Sequence, residues 1–459
     1  MNIQRITCVL SILAVSVVAF PVQPVQAQSG GEVEELEELI TIGTRREGGR
    51  STTDSLVPVD VLSGDDLLRT GNTDIVTVLT NLVPSYNANT QAINDAATLV
   101  RPAQLRGLPP DSTLVLVNGK RRHRAAVITF LGNGISDGAQ GADISTIPAV
   151  ALKRVEVLRD GAAAQYGSDA IAGVMNFELK DDAEGGSVEA RWGQHYEGDG
   201  DGFNFAGNIG LPLGSNGFAN LSAEYRDVKG TNRSVQRSDA ERLIAAGNTA
   251  ITDPNYDSIF HPNVMIWGAP EVKYDYKIFG NFGMDLSDNM EVYGHTNYAK
   301  RKVEGGFFFR NPHTRNGVFN GDVVDGNNEV LELQALNNDG TPKVDDNNMP
   351  VMESFGSIGA IGLGGPHDAI RRGQLAGINI DDLRDTVKVA DIGGLGTCSP
   401  IRIDNDVARE GDITAVENDD NCQSFITRFP GGFTPRFGGV MEDYSFAVGV
   451  RGDFGDWYV

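Results

Sequence analysis

Cysteine and positive charge are both scarce in this sequence. Three Cys in 459 residues exclude a scaffold built on disulfides. Cys8 falls in an N-terminal apolar run, which leaves Cys398 and Cys422 as the candidate pair. In an exported protein, closing that loop contributes roughly 3 kcal/mol. Lys and Arg number 38 against 62 Asp and Glu, a formal net charge of −24. That balance argues against nucleic acid as a partner. Long hydrophobic runs are missing after residue 20, and none approaches the ~20 residues of a transmembrane helix. A membrane crossing by the rest of the chain would therefore need a β-barrel. The six His are scattered, and no Ser–His–Asp or paired-carboxylate constellation can be assembled from spacing. No catalytic residue, metal-ligand set or cofactor motif is found, and no enzyme is expected.

Glycine is abundant, at 56 residues, which favours turns and β-rich structure. Residues 1–27 read as a signal peptide: Arg5 is the basic end, Ile6 to Phe20 the apolar stretch, and Val25-Gln26-Ala27 a small-residue cleavage site. Residues 28–49 form a polar, acidic arm that buries too little surface to fold alone. Within it, Leu39-Ile40-Thr41-Ile42 favours extended structure. Such a stretch suits addition to another protein's sheet edge, or serves as the first strand of the next domain.

Residues 50–182 read as a compact unit of mixed helix and strand. Val57 to Leu62 is a strand. Ser63-Gly64-Asp65-Asp66 resembles a capping box. Ile75, Val78, Leu79 and Leu82 make one helical stripe, with Thr73 as candidate N-cap and Pro84 as the stop. Thr113 to Val117 is a strand, Asn118-Gly119 a type I′ hairpin signal, and Lys120 to Ala126 the return strand. The run Lys120, Arg121, Arg122, His123, Arg124 is expected to face acidic groups elsewhere in the same molecule. Ile147 to Lys180 then reads as strand, small-residue turn and strand.

After Gly185 the pattern changes to amphipathic segments of about ten residues, as in outer-membrane barrels. They span Ser187 to Tyr196, Phe203 to Leu213, Gly217 to Val228, Lys273 to Leu286, Met290 to Val303 and Met441 to Asp453, and a seventh begins at Trp457. Tight turns alternate with longer connections, and 229–272 and 304–440 read as long, irregular loops. Tyr196, Phe203, Phe205, Tyr225, Tyr274, Tyr276, Tyr293 and Tyr298 are candidates for aromatic girdles. The oxygen-rich runs at Asp322–Asn328 and Asp345–Asn348 read as solvated loop, since neither matches an EF-hand. Gly306-Phe307-Phe308-Phe309 reads as a packing cluster.

Taken together, these segments resemble a TonB-dependent outer-membrane receptor along nearly the whole chain. The most specific piece is KRVEVLRDGAAAQYGSDAIAGVMNF, Lys153 to Phe177, which looks like the end of that family's plug domain; its motif positions are Asp160, Gly161, Tyr166, Gly167, Ser168 and Gly173. The hairpin LVLVNGKRRH and Gln104-Leu105-Arg106-Gly107 are similar to earlier plug motifs. Glu38, Leu39, Ile40, Thr41, Ile42 and Gly43 look like a TonB box. The resemblance implies an α+β plug at residues 50–182. It is followed, from 183 to 459, by the first strands of a transmembrane antiparallel β-barrel of about 22 strands. It also implies a barrel set in outer-membrane lipid, ligand capture at the extracellular side, and strand addition by TonB, energised through ExbB and ExbD. A ferric siderophore is the expected ligand, with cobalamin, saccharides and peptides as competitors; a passive barrel or adhesin is the alternative. Arg106 and Arg159 match plug arginines that pair with barrel glutamates, here expected beyond residue 459.

Overall fold

The structure is a computed structural model. It describes residues 39–40, 42, 50–51, 58–72, 74–88, 99–128, 137–253, 263–265, 268–287, 289–306, 309–312, 319, 321–355, 370, 373–392, 394–404, 407–454 and 457–458. The expected signal peptide, Glu38, Thr41, Gly43, Thr73, Phe307 and Phe308 lie outside them.

An α+β domain comes first. Strand β1 (Val59–Ser63) runs into helix α1 (Gly64–Arg69), and helix α2 spans Ile75–Leu82. The capping box at α1 is formed: Ser63 Oγ accepts from Asp66 N at 3.1 Å, and Asp66 Oδ2 accepts from Ser63 N at 3.4 Å. Helix α2 starts one residue later than a Thr73 cap implies: its N-cap is Asp74, whose side chain makes no capping bond. That carboxylate is committed elsewhere, to Arg101 Nη2 at 2.7 Å.

Strands β2 (Thr113–Val117), β3 (Lys120–Arg121), β4 (Leu152–Leu158) and β5 (Gly173–Leu179) complete a sheet with β1. Its order is β1-β4-β5-β2-β3, with β2 and β5 parallel and the other neighbours antiparallel. Asn118 and Gly119 both take positive φ, 48° and 72°, as a type I′ turn requires. The return strand is shorter than its sequence pattern. It stops at Arg121 because the next residues leave the sheet for contacts described below. Leu67, Ile75, Leu79, Val155, Val157, Met175 and Phe177 form the core.

Gly173 opens β5 with φ 144°, and a Cβ there would lie inside contact distance of the Leu158 carbonyl oxygen. Backbone cannot yield as a side chain tip does. Gly173→Ala is therefore expected to cost about 3 kcal/mol, read as a lowered urea midpoint in micelles. An unchanged midpoint would remove the steric argument.

The second part is a seven-stranded antiparallel sheet in strict chain order. Its strands are β6 (Gly186–Gly193), β7 (Gly202–Pro212), β8 (Gly217–Val228), β9 (Glu271–Ser287), β10 (Met290–Gly306), β11 (Arg436–Phe454) and β12 (Trp457–Tyr458). Each amphipathic segment of the sequence is one of these strands. Val188, Trp192, Phe205, Ile278, Tyr444, Phe446 and Val448 are exposed, while Asn204, Asn208, Glu224, Asp275, Lys277, Asn297 and Arg301 are buried. That inverts a water-soluble sheet. The exposed face suits lipid, and the buried polar face packs on the α+β domain. Among the described residues no helix is long and apolar enough to cross a membrane.

Between β10 and β11 the chain is not the irregular loop that its composition suggests. Phe319, Val387, Ile401 and Ile426 form one small core, and Val323, Leu333, Phe355 and Leu383 a second. Cys398 and Cys422 are joined by a disulfide, with Cα atoms 5.6 Å apart. The oxygen-rich runs close turns. Asp325 Oδ1 accepts from Asn327 N at 2.8 Å and Glu329 N at 2.9 Å, and Asp345 Oδ1 accepts from Asn347 N at 2.9 Å and Met349 N at 2.8 Å. Phe309 packs with Ala240, Leu243 and Ile251 of the preceding excursion.

Candidate functional site: the seam between domain and wall

Cross-strand register builds the wall's inner face. Arg191 lies opposite Asn204, Asn204 opposite Arg226, Arg226 opposite Asp275, and Asp275 opposite Arg301. Five neighbouring strands thus contribute one polar row, because residues of equal parity share a face. One step along, Glu224 lies opposite Lys277. Lys277 Nζ is 2.5 Å from Glu224 Oε1 and 3.3 Å from Asp275 Oδ2, all three being fully buried.

The α+β domain meets this face with its own polar groups. Arg122 is buried; it donates to Asn297 Oδ1 at 2.7 Å and Ser445 Oγ at 2.8 Å and pairs with Asp443. His123 Nε2 lies 2.6 Å from the other oxygen of Asp443. Arg301 reaches Ser145 Oγ and the Leu99 carbonyl. Asn118 Nδ2 donates to Asn281 Oδ1 at 3.0 Å, and Arg226 lies 3.6 Å from Asp74. Burial alone would raise the Asp74 pKa, but the charges of Arg101 and Arg226 outweigh it and hold the carboxyl well below its usual range. Lys120 sits 5.0 Å over the ring of Tyr293, so that tyrosine faces the domain rather than joining an outer girdle. Tyr276 and Tyr298 are on the exposed face.

The basic run therefore faces acids of the same molecule, as its setting suggested. Arg122 and His123 share Asp443, while Arg121 and Arg124 share Asp169, the latter at 3.8 Å. Phe279 is the wall residue that enters the domain's apolar core. Otherwise the contacts named here are hydrogen bonds and ion pairs, whose net worth is modest because water can replace each partner.

The arm docks on the domain. Leu39–Ile40 pairs antiparallel with Arg50–Ser51. Ile42 is buried among Leu114, Leu116, Leu158 and Val174, and its N–H donates to Glu156 Oε2 at 3.3 Å. Glu156 is itself buried and held by Arg154 Nε at 3.0 Å.

Arg106 and Arg159 do not reach the wall among the described residues. Arg159 Nε lies 2.7 Å from Asp60, and Arg106 lies 3.7 Å from Asp160. The reason for the first is register: Asp60 stands opposite Val157, two residues before Arg159. Arg106 has φ 56° and Gly107 φ 70°, a left-handed turn that is costly for a residue with a Cβ. In the motif after β4, Asp160 Oδ1 accepts from Gly161 N at 2.7 Å, and helix α3 (Ala163–Tyr166) ends on Gly167 at φ 92°. Ser168 opens the short turn that carries Asp169 to Arg121. The residues that sequence reasoning passed over are Asp74, Asp143, Glu224, Lys277, Arg301 and Asp443. For Glu224, Lys277, Arg301 and Asp443 the signal was a charge at inward parity on an otherwise amphipathic strand. Asp74 and Asp143, the latter 3.7 Å from Arg301, stand at the N-caps of helical turns of the α+β domain and carry no such signal.

The family described as TonB-dependent Receptor Plug Domain matches residues 51–174. A probable TonB-dependent siderophore receptor, PirA of Acinetobacter baumannii, is 28% identical over 176 residues, covering 37% of this chain and 23% of that protein. Among solved structures, a mutant of the ferric enterobactin receptor PfeA from Pseudomonas aeruginosa is similar at 18% identity and TM-score 0.40, covering 54% of this chain and 33% of that one. The crystal structure of A. baumannii PirA is similar at 24% identity and TM-score 0.38, covering 55% and 32%. The chain thus spans about a quarter to a third of the length of these relatives.

Proposed function

We propose that this chain, whose residues 51–174 match the TonB-dependent receptor plug domain, is part of a TonB-dependent receptor and serves an outer-membrane importer. Its ligand is a scarce one, an iron–siderophore complex, delivered to the periplasm by plug movement that TonB, ExbB and ExbD drive from the proton gradient. The observation that carries this reading is the seam. A plug fixed mainly by exchangeable polar contacts shifts without tearing a dry apolar interface. The names of the similar proteins support an iron chelate as the ligand class.

TonB engages Glu38 to Gly43 by strand addition, which needs free main-chain groups and no prefolded surface. The pairing of Leu39–Ile40 with Arg50–Ser51 and the buried Ile42 are what TonB must displace. Ile40→Pro removes a strand N–H. It is expected to abolish cellular uptake of radioactive ferric siderophore while surface binding stays at the parental level. A passive barrel or adhesin predicts no change in uptake, and that result would sink the importer reading.

A further inference from the structure

The outward side of the wall carries charge at one end only. Tight turns join its strands at one edge and long excursions at the other. Toward the tight turns the outward positions are apolar, with Leu211, Met284, Leu286 and Val450 exposed. Tyrosines then cross the wall: Tyr225 stands opposite Tyr276, and Tyr298 opposite Tyr444. Charges at outward parity on β8 to β11 begin at this level. Lys300 stands opposite both Tyr276 and Glu442 and lies 2.6 Å from the latter. Further out, register sets Glu271 opposite Glu304, a destabilising pairing of like charges. A register shift in β9 brings Lys273 between them, 2.7 Å from Glu271 and 3.4 Å from Glu304. Glu304 is also met by Lys302 at 3.1 Å and Arg436 at 3.2 Å, and Glu271 by Lys229 at 3.3 Å.

Five part-exposed cations thus gather at the excursion end. Among the described residues they meet four carboxylates, Asp227 being the fourth at 3.9 Å from Lys229. That excess of positive charge stands in a chain with 38 basic and 62 acidic residues. Exposed ion pairs add little to stability, and lysine on a bilayer-facing surface is tolerated only near the interface. Folding of the wall therefore does not account for the ladder. Its chemistry fits the groups that lie at this level of a membrane. Lysine and arginine take phosphate oxygens in charge-assisted hydrogen bonds, basic clusters beside a bilayer draw in phosphorylated headgroups, and tyrosines mark the same level. Long excursions belong to the outer side of such a wall. We propose that this rim docks a phosphate-bearing lipid of the outer leaflet. Lys273 and Lys302 are its main phosphate contacts, and Glu304 is the group that the phosphate displaces from them. The proposal rests on the membrane reading of the wall and not on import.

The test is native mass spectrometry of the whole protein in maltoside micelles, titrated with bisphosphorylated lipid A and with its dephosphorylated form. Tighter retention of the phosphorylated lipid is expected. Lys273→Gln combined with Lys302→Gln should weaken it by about tenfold or more, since each lysine beside a membrane is worth about fivefold. Glu304→Gln should strengthen it, a change of opposite sign that a folding defect does not produce. Raised salt should weaken retention by the parental protein, a comparison that needs no variant. Equal retention of both lipids overturns the proposal and leaves the membrane reading standing, whereas retention of neither counts against both. Retention unchanged in folded variants, or capture of inorganic phosphate in dialysis without retention of the lipid, also overturns it.

Discussion

Lys277→Met is expected to lower stability by about 3–5 kcal/mol. The ammonium sits in the wall's inner face beside Glu224 and Asp275, all three fully buried. Removing the cation leaves two carboxylates out of water and near each other. The pair's own attraction is not the quantity lost; the penalty comes from the charges left behind. Replacing all three together, with Lys277→Met, Glu224→Gln and Asp275→Asn, should therefore recover most of the loss. Urea midpoints in micelles measure both effects. A single variant within about 0.5 kcal/mol of the parent, the usual range for surface changes, would mean that water reaches the triad.

The second large effect is expected at Arg122 and Asp443. Arg122 spans from the plug to two wall strands through Asn297, Ser445 and Asp443. Arg122→Met should cost about 2–4 kcal/mol, and Asp443→Asn somewhat more because it also releases His123. The double variant should cost less than the sum, with a coupling of about 1.5–3 kcal/mol. The same variants should raise ion leakage in planar bilayers, because this link ties the plug to β10 and β11. Additive losses in a double-mutant cycle would show that the two side chains act separately.

Much of this architecture is written in local pattern. The stripe Ile75-Val78-Leu79-Leu82 marks α2, and Asn118-Gly119 marks the hairpin, since both depend on neighbours within a turn. The amphipathic strands are legible for the same reason, as period-two alternation needs no partner. The excursion between β10 and β11 was misread because its cores are assembled from short pieces. Phe319, Ile401 and Ile426 meet across more than a hundred residues, and acidic turns mask the few apolar positions. The contacts of Arg106 and Arg159 within the α+β domain were also beyond local reading. A family motif marks the arginine, but register chose Asp60 for Arg159. The polar row needed registers across five strands, which no single segment contains.

That row has a consequence for assembly. If β8 slipped by one residue against β7, its inner and outer faces would exchange. Glu224 and Arg226 would turn to the apolar outer face, where a charge is penalised according to its depth. Four of the five strands from β6 to β10 carry a charged residue at inward parity, and β7 contributes Asn204. The charges that hold the plug thus also penalise misaligned insertion of each hairpin, before any plug has docked.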